Sequence, residues 1–278
     1  MTSRTRQPPG TPLSAASVRA AVLAGSRLYT NVDVAAKTGS TNADLLAAAR
    51  AGAPAGTVLV AEAQTAGRGR LDRSWQSQPG AALTFSVLLR PARVPTASRG
   101  WLPLLTGVAV ASALHTSTGV DVGLKWPNDV LGAPERAGKL AGILAEQASE
   151  VIVVGIGLNV SARQDELPSS QATSLWLEGA AHIGRESILV AILQELEQWY
   201  LRWAESPKPG DAEASGLRAA YLRACSTVGR DVQVELPGGR TLSGRACDVD
   251  GVGRLVVETA DGMQAVSAGD VVHVRPVP

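Results

Sequence analysis

The chain has 278 residues, 45% of them hydrophobic and 18% charged, enough for one large domain or a large and a small one with a sizeable core. A net charge of +1 excludes a global field that would draw nucleic acid or an anionic membrane surface. No apolar run approaches the roughly 20 residues that span a bilayer. Two cysteines, Cys225 and Cys247, make neither a disulfide framework nor a zinc site and suit a reducing compartment. Three histidines are too scattered to suggest a metal centre, and no serine–histidine–aspartate spacing stands out.

Met1 to Leu13 is rich in proline, arginine and threonine and reads as the core of a disordered tail over 1–16. It is followed by no apolar signal core, so a cytoplasmic location is expected. A short helix from Ser17 to Leu23 and a strand at Val32-Asp33-Val34 follow. The space before that strand is too short for a helix-turn-helix module, so no specific DNA binding is expected. Thr38-Gly39-Ser40-Thr41-Asn42 leads into an alanine-rich helix, Ala43 to Ala51. Ser40 or Thr41 is a natural N-cap, while the same hydroxyls and free N–H groups also suit an anion or carbonyl ligand.

The strand-like run Thr57 to Glu62 opens onto Gly67-Arg68-Gly69-Arg70-Leu71-Asp72-Arg73-Ser74-Trp75. Glycines let a backbone approach a ligand closely, and arginine forks match phosphate or carboxylate. A solvated basic loop is the alternative, but an indole beside clustered cations suits a flat ring attached to phosphate. This stretch therefore predicts a nucleotide-type anion site.

Ala82 to Leu89 reads as a strand, Pro91 to Gly100 as a loop, and Trp101 to Thr118 as a long buried helix in which His115 packs or caps. Val122 to Lys125 is a strand, and Pro127 breaks its ladder, so Asn128 and Asp129 fall at a strand-end turn. Leu131 to Gly138 reads as a hairpin loop, with strands at Lys139–Glu146 and Val151–Val160. Gly155 and Gly157 in the last strand mark a bulge or a close approach to the backbone. A polar loop, Ser161 to Leu175, precedes a helix from Glu186 to Glu205, whose leucines, isoleucine and tryptophan at helical spacing read as core; a short helix, Leu217 to Ala224, closes this part. From Thr227, short alternating runs with Val232, Val234, Val249, Val257, Val266 and Val274 are separated by Gly-rich turns, the pattern of a small SH3-like β unit.

Arginine loop, strand-end Asn-Asp, strand lysine and glycine-marked strand together suit phosphoryl or nucleotidyl transfer, where catalysis is mostly positioning and charge neutralisation. Thr38 to Asn42, Gln64 to Arg70 with Trp75, Lys125-Trp-Pro-Asn-Asp-Val130, Gly138-Lys-Leu-Ala-Gly-Ile-Leu144 and Gly155-Ile-Gly-Leu-Asn-Val160 stand in the order found in biotin protein ligases, and the chain resembles that family. The motifs cover Val32 to Val160, and the small β unit carries the resemblance to the C-terminus.

The resemblance implies an α+β fold of the class II aminoacyl-tRNA synthetase and biotin ligase kind. A mixed β-sheet with helices packed on one side would occupy 17–225, and a small SH3-like β-barrel 226–278. It implies an enzyme without an N-terminal DNA-binding domain that forms biotinyl-5′-AMP from biotin and ATP, then moves biotin to a lysine of a biotin carboxyl carrier domain. Ser40, Thr41, Asn42 and Gln64 would hold the biotin head, with Gly67, Gly142 and Gly155 lining its pocket. Arg68, Arg70 and Lys139 would hold the biotin carboxylate and α-phosphate, Lys139 and Arg70 acting in catalysis. Arg73, Trp75, Asn128 and Asn159 would contact the nucleotide. Mg²⁺ would accompany the triphosphate through phosphate oxygens and water, with no protein ligand named.

Leu71-Asp72 departs from the family, where another Arg-Gly pair is frequent, and the loop at Leu131 to Gly138 is slightly longer than in some relatives. A lipoate or octanoate ligase or transferase of the same fold is the second reading, although those lack the Gly-Arg-Gly-Arg loop and the Lys-Trp-Pro-Asn-Asp run. A biotin-sensing DNA-binding repressor is the third. Oligomeric state stays open between a monomer and a weak homodimer.

Overall fold

The computed structural model describes residues 10–273 except 72, 134–136, 181–183, 237 and 268. Val274, Asp72 and the tip of the Leu131–Gly138 hairpin, among the residues singled out above, lie outside that set. Two β-sheets organise the rest. The large one has seven strands in the order β1 (Asn31–Ala35), β2 (Thr57–Ala61), β3 (Ala82–Leu89), β7 (Val151–Asn159), β6 (Lys139–Ala148), β5 (Asp129–Leu131), β4 (Gly123–Lys125). Among the strands of this sheet in the described residues, β1 and β2 run parallel and the other neighbours antiparallel, so the sheet is mixed.

Side-chain alternation assigns the two faces of this sheet different tasks. Leu83, Phe85, Val87, Val154, Ile156, Leu158, Ala141, Ile143, Val130 and Leu124 point to one side and join the main core. There they meet helices α1 (Ala15–Leu23), α3 (Trp101–Thr118) and α4 (Arg185–Ala204). α3 is apolar almost all round and buries both tryptophan and leucine, as a helix sandwiched between a sheet and another helix must. The opposite face carries α2 (Thr41–Arg50), where Leu45 packs on Leu88, Val151 and Val153 in a separate small cluster.

What remains of that second face is nearly bare. Residues paired directly across strands share a face, so the register lays Thr84, Gly157, Gly142, Asp129 and Lys125 in one transverse row. The next row holds Ser86, Gly155 and Leu144. Three glycines in the middle of two central strands leave a trough where other sheets carry side chains.

The small domain is a five-stranded antiparallel sheet in the order β11 (Gly262–Val266), β10 (Leu255–Thr259), β9 (Thr241–Val249), β8 (Asp231–Glu235), β12 (Asp270–His273), in keeping with the SH3-like expectation. It grips the large domain at two tryptophans. The Trp126 indole donates to Gly253 O at 3.1 Å and the Trp101 indole to Gly251 O at 2.9 Å. α5 (Leu217–Ala224) adds Arg218, whose guanidinium reaches both carboxylate oxygens of Asp248 at 2.6 Å.

The expected tail changes at its C-terminal end. Leu13 is buried, its N–H donates to Glu62 Oε1 at 2.6 Å, and Thr11 O accepts from Arg185 Nη2 at 2.7 Å. Ser14 caps α1, which begins before Ser17. Composition alone missed this because the anchor is tertiary: buried Arg185 binds Glu62 at 2.7 Å and thereby fixes the strap across it. Among the described residues no helix is long and apolar enough to cross a membrane.

Candidate active site

The trough on the second face is the floor of a cavity. Its rim is built from three segments whose local folding follows from sequence. Ser40 is extended and its hydroxyl accepts from Ala43 N–H, which starts α2 at Thr41 rather than at Ala43. Thr41 and Asn42 thus fall in the first helical turn with their side chains turned down onto β3. Ser86 Oγ lies 2.7 Å from Thr41 Oγ1 and 2.6 Å from Asn42 Oδ1, its single proton serving one of them. Gln64 Oε1 accepts from Thr41 N–H at 2.8 Å and from its hydroxyl at 3.1 Å. Asn42 Nδ2 donates to Glu146 Oε2 at 2.8 Å, and Glu146 Oε1 in turn meets Arg68 Nη2 at 3.2 Å. The result is a polar belt of neighbouring side chains, Gln64–Thr41–Ser86–Asn42–Glu146–Arg68, around one end of the cavity.

The second rim segment is the arginine loop, which folds as a tight hairpin over the floor. Arg68 bridges Ser74, Trp75 N–H donates to Gly67 O at 2.9 Å, and Gly69 N–H donates to Arg73 O at 2.6 Å. Gly67 is required here: a Cβ would stand 2.5 Å from Trp75 O and 2.9 Å from Gln64 Nε2. At the tip Leu71 has φ of 52°, a left-handed conformation that costs a non-glycine residue about 1–3 kcal/mol. The hairpin delivers Trp75 onto the floor. A Cβ at Gly157 would be 2.3 Å from the indole Cε2, and one at Gly142 would be 3.4 Å from Cζ3. The Trp75 Nε1–H is buried and has no hydrogen-bond partner among the described residues.

The third segment is the turn after β4. Asn128 Oδ1 accepts from Arg70 Nη1 at 3.2 Å, while its Nδ2 donates to Ile143 O at 3.0 Å. Asp129 Oδ1 and Lys139 Nζ are 2.6 Å apart. From the small domain, Asp270 pairs with Arg73 and also lines the cavity. Burial draws the Arg70 guanidinium down from its usual range, opposed by Asp270 and Asp129. It is a desolvated cation that would gain from a nearby anion.

Of the predicted residues, Ser40, Thr41, Asn42, Gln64, Arg68, Arg70, Arg73, Trp75, Asn128, Lys139, Gly142 and Gly155 line this one cavity. Two do not. Gly67 acts behind it, inside the hairpin. Asn159 is on the site face, but its amide donates to Thr173 O at 3.0 Å and the segment around Thr173 covers it. Gly157 and Asp129, which the sequence marked as a close approach and a strand-end turn without giving them a ligand, also line the cavity; Leu144 and Asp270 in the lining, and Ser86 and Glu146 beneath it, were missed. Glu146 was within reach, since it shares the alternation of Gly142 and Leu144; Asp270 carried no local signal.

Among the described residues no group of three or more His, Cys, Asp and Glu side chains could hold a metal ion. The cavity carboxylates Asp129 and Asp270 are each engaged by a cation. The donor set therefore fits a divalent ion only as a companion of a bound polyphosphate.

Comparison with known proteins follows the same lines. Residues 35–161 match the Biotin/lipoate A/B protein ligase family, and residues 227–274 match the biotin protein ligase C terminal domain. The chain is 43% identical to the biotin--[acetyl-CoA-carboxylase] ligase of Mycobacterium tuberculosis, over 99% of this chain and 100% of that protein. It is 32% identical to the bifunctional ligase/repressor BirA of Bacillus spizizenii, over 86% of this chain and 72% of that one. Among solved structures it resembles a biotin protein ligase from Aquifex aeolicus in complex with biotin and ATP. The TM-score there is 0.72 at 28% identity, covering 89% of this chain and 100% of the other.

Proposed function

Because the chain belongs to the biotin protein ligase family, we propose that its cavity joins biotin to AMP and then passes the biotin to a lysine of a biotin carboxyl carrier domain. The observation that carries this reading is three cations, Arg68, Arg70 and Lys139, gathered at the edge of a glycine floor under an indole. In the first step a biotin carboxylate oxygen attacks the α-phosphorus of ATP, and pyrophosphate leaves with the electron pair of the broken P–O bond. Both reactants are anionic, so the step needs cations fixed between them. Arg70 and Lys139 take that place, and Arg68 steadies the carboxylate. In the second step the acceptor amine attacks the acyl carbon, and AMP leaves.

Thr41, Asn42 and Gln64 of the polar belt, with Ser40 beside them, have donors and acceptors suited to the ureido head of biotin. Gly142 and Gly155 let that ring lie against the sheet, and Gly67 shapes the loop above it. Trp75 stacks on the adenylate with Arg73 and Asn128 near the nucleotide. We keep Asn159 as a nucleotide contact acting through the segment it ties at Thr173. The cavity holds about 130 Å³, below the several hundred Å³ usual for a ligand of this size. Trp75 and the arginine loop fill it, so entry of both substrates requires them to move. Mg²⁺ accompanies the triphosphate, held by phosphate oxygens and water, and supplies charge neutralisation there.

Residues 17–225 form the unit that binds both substrates. Residues 226–278 steady the arginine loop through Asp270. A cytoplasmic reaction is part of this reading, supported by two cysteines that are not joined to each other. Pyrophosphate release that depends on both biotin and ATP, with lipoate as the control, tests the reading. Release driven equally by lipoate would move the chain to the lipoate branch of the fold, and no release with either acid would overturn the proposal.

A further inference from the structure

The arginine loop belongs to one long excursion between neighbouring strand ends. β2 stops at Ala61 and β3 starts at Ala82, and the two strands pair Ala61 with Thr84. Residues 63–81 therefore leave the sheet and return beside their point of departure. At that point stands Arg185, the first residue of α4, its side chain 6% exposed. Its guanidinium spans both feet of the excursion. Nη1 donates to Glu62 Oε2 at 2.7 Å on the outgoing side and to Ala82 O at 3.2 Å on the returning side. Nη2 donates to Thr11 O at 2.7 Å, so the same group holds the strap before α1. The strap meets the loop again at Gly80 on the returning leg, where a Cβ would stand 3.0 Å from the Gly10 Cα.

Neither its place nor its burial suits a residue retained for stability. Gly184 caps α4 without a side-chain hydrogen bond, and a cation in the first helical turn opposes the helix dipole. A buried ion pair is costly to desolvate, and well-packed apolar residues of similar volume often stabilise a fold as well or better. What the pair supplies is geometry. A rigid guanidinium fork can hold a carboxylate and two carbonyls from three separate segments at once. Glu62 uses its other oxygen too, Oε1 accepting from Leu13 N–H at 2.6 Å. The next residue of α4, Glu186, accepts from Ser14 N–H at 3.4 Å and from the Ser17 hydroxyl, which keeps strap and α1 against the same helix end.

We propose that Arg185 is a positioning residue for the active-site loop: with Glu62 it clamps both feet of the segment that carries Gln64, Arg68, Arg70, Arg73 and Trp75. Arg185 is not among the residues that line the cavity, and it acts through Glu62 and Ala82. Fixed feet restrict the conformations that the raised loop can sample, so its arginines return to one arrangement when it closes. Loosened feet add conformations to the open state, and each one raises the entropic cost of closure. What the loop closes upon is taken from the adenylate-forming reading above, on which this inference rests.

Two variants test the clamp. Arg185→Lys keeps the charge, but a point donor cannot span both feet. Arg185→Met combined with Glu62→Gln removes both charges together, so no unpaired ion is left buried. The first readout is trypsin cleavage after Arg68, Arg70 and Arg73, taken relative to cleavage after Arg93, which is exposed in another loop and corrects for global unfolding. The second is escape of preformed, labelled biotinyl-5′-AMP. Relative cleavage and escape should each rise about tenfold in both variants, the loss expected for one hydrogen bond to a charged group. Relative cleavage or escape that stays at the wild-type value, even beside a lowered melting temperature, overturns the proposal. Cleavage requires no reaction, so a wild type that makes no adenylate sinks the parent reading while the loop cuts still judge the clamp.

Discussion

Gly157→Ala is the sharpest probe of the floor. The added methyl would meet the Trp75 indole at 2.3 Å from Cε2, 2.6 Å from Cζ2 and 2.7 Å from Cδ2. Ordinary carbon contacts begin near 3.5 Å, so either the indole retreats or the bound ligand rides up, by about 1 Å in each case. Misplacing reacting atoms by that distance costs about a hundredfold in rate. Gly142→Ala is the matched control on the neighbouring strand. Its methyl would meet the flexible Lys139 Cε at 3.3 Å and Trp75 Cζ3 at 3.4 Å. A few tenths of an ångström accommodate it, at a cost of about 1 kcal/mol, or roughly fivefold. Both substitutions put the same side chain in the middle of a strand, so propensity effects on folding are shared. Pyrophosphate release and biotin binding by calorimetry should rank wild type, Gly142→Ala and Gly157→Ala in that order, with similar melting temperatures. Equal losses for the two variants would refute a floor on which Trp75 rests against Gly157.

Lys139→Ala should reduce adenylate synthesis by roughly 10²–10³, the usual worth of one contact that strengthens in the transition state. It also strips Asp129 of its partner at 2.6 Å; pyrophosphate release within threefold of wild type would make Lys139 a mere strand lysine. Arg70→Gly removes the hydrogen bond to Asn128 and adds a flexible residue to the hairpin. Labelled biotinyl-5′-AMP should then escape about tenfold to a hundredfold faster and biotinylate bystander proteins, and matching off-rates would refute the hairpin as lid. Partial burial, with Lys125 and Arg230 nearby, draws the His273 imidazole down from 6.5 to about 4. The unfolded chain therefore binds more protons between these values, and folding stability falls as pH drops through that window. His273→Gln should flatten that part of the melting-temperature profile, and parallel profiles would show that His273 does not contribute to it.

The parts of the fold legible in the sequence were those with local causes. Apolar runs at Ala82–Leu89 and Val151–Val160, turn residues beside them and a nearly continuous apolar helix at Trp101–Thr118 are short-range signals. At the site, the motifs brought the correct residue types together, but their faces were settled by register. Gly157 looks like Gly155 in sequence; only pairing with Gly142 and Thr84 makes it the place where Trp75 lands. Asn159 shows the reverse. Alternation places it on the site face, yet β6 pairs at Lys139 with Ala172 and draws Thr173 across it. Asp270 could not be read at all, because its contact with Arg73 depends on how one domain docks on another.

The docking has a chemical consequence. Carboxylates from three separate elements, β5, β6 and β12, engage Lys139, Arg68 and Arg73. Such pairs hold a cluster of cations in place where bare repulsion would splay them. They also set a threshold: an incoming anion must do better than the carboxylate it competes with. A monoanion facing half-exposed pairs gains little, since exposed ion pairs are worth about 0–1 kcal/mol. A carboxylate and a polyphosphate arriving together would compete with Asp270 for Arg73 and with Asp129 for Lys139. Such competition would act on the hairpin itself, because Arg68, Arg70 and Arg73 all belong to it. A small-domain residue thus stands at a site otherwise built by the large sheet. Asp270 holds the hairpin at its distal arginine, on the same loop that lays Trp75 on the glycine floor.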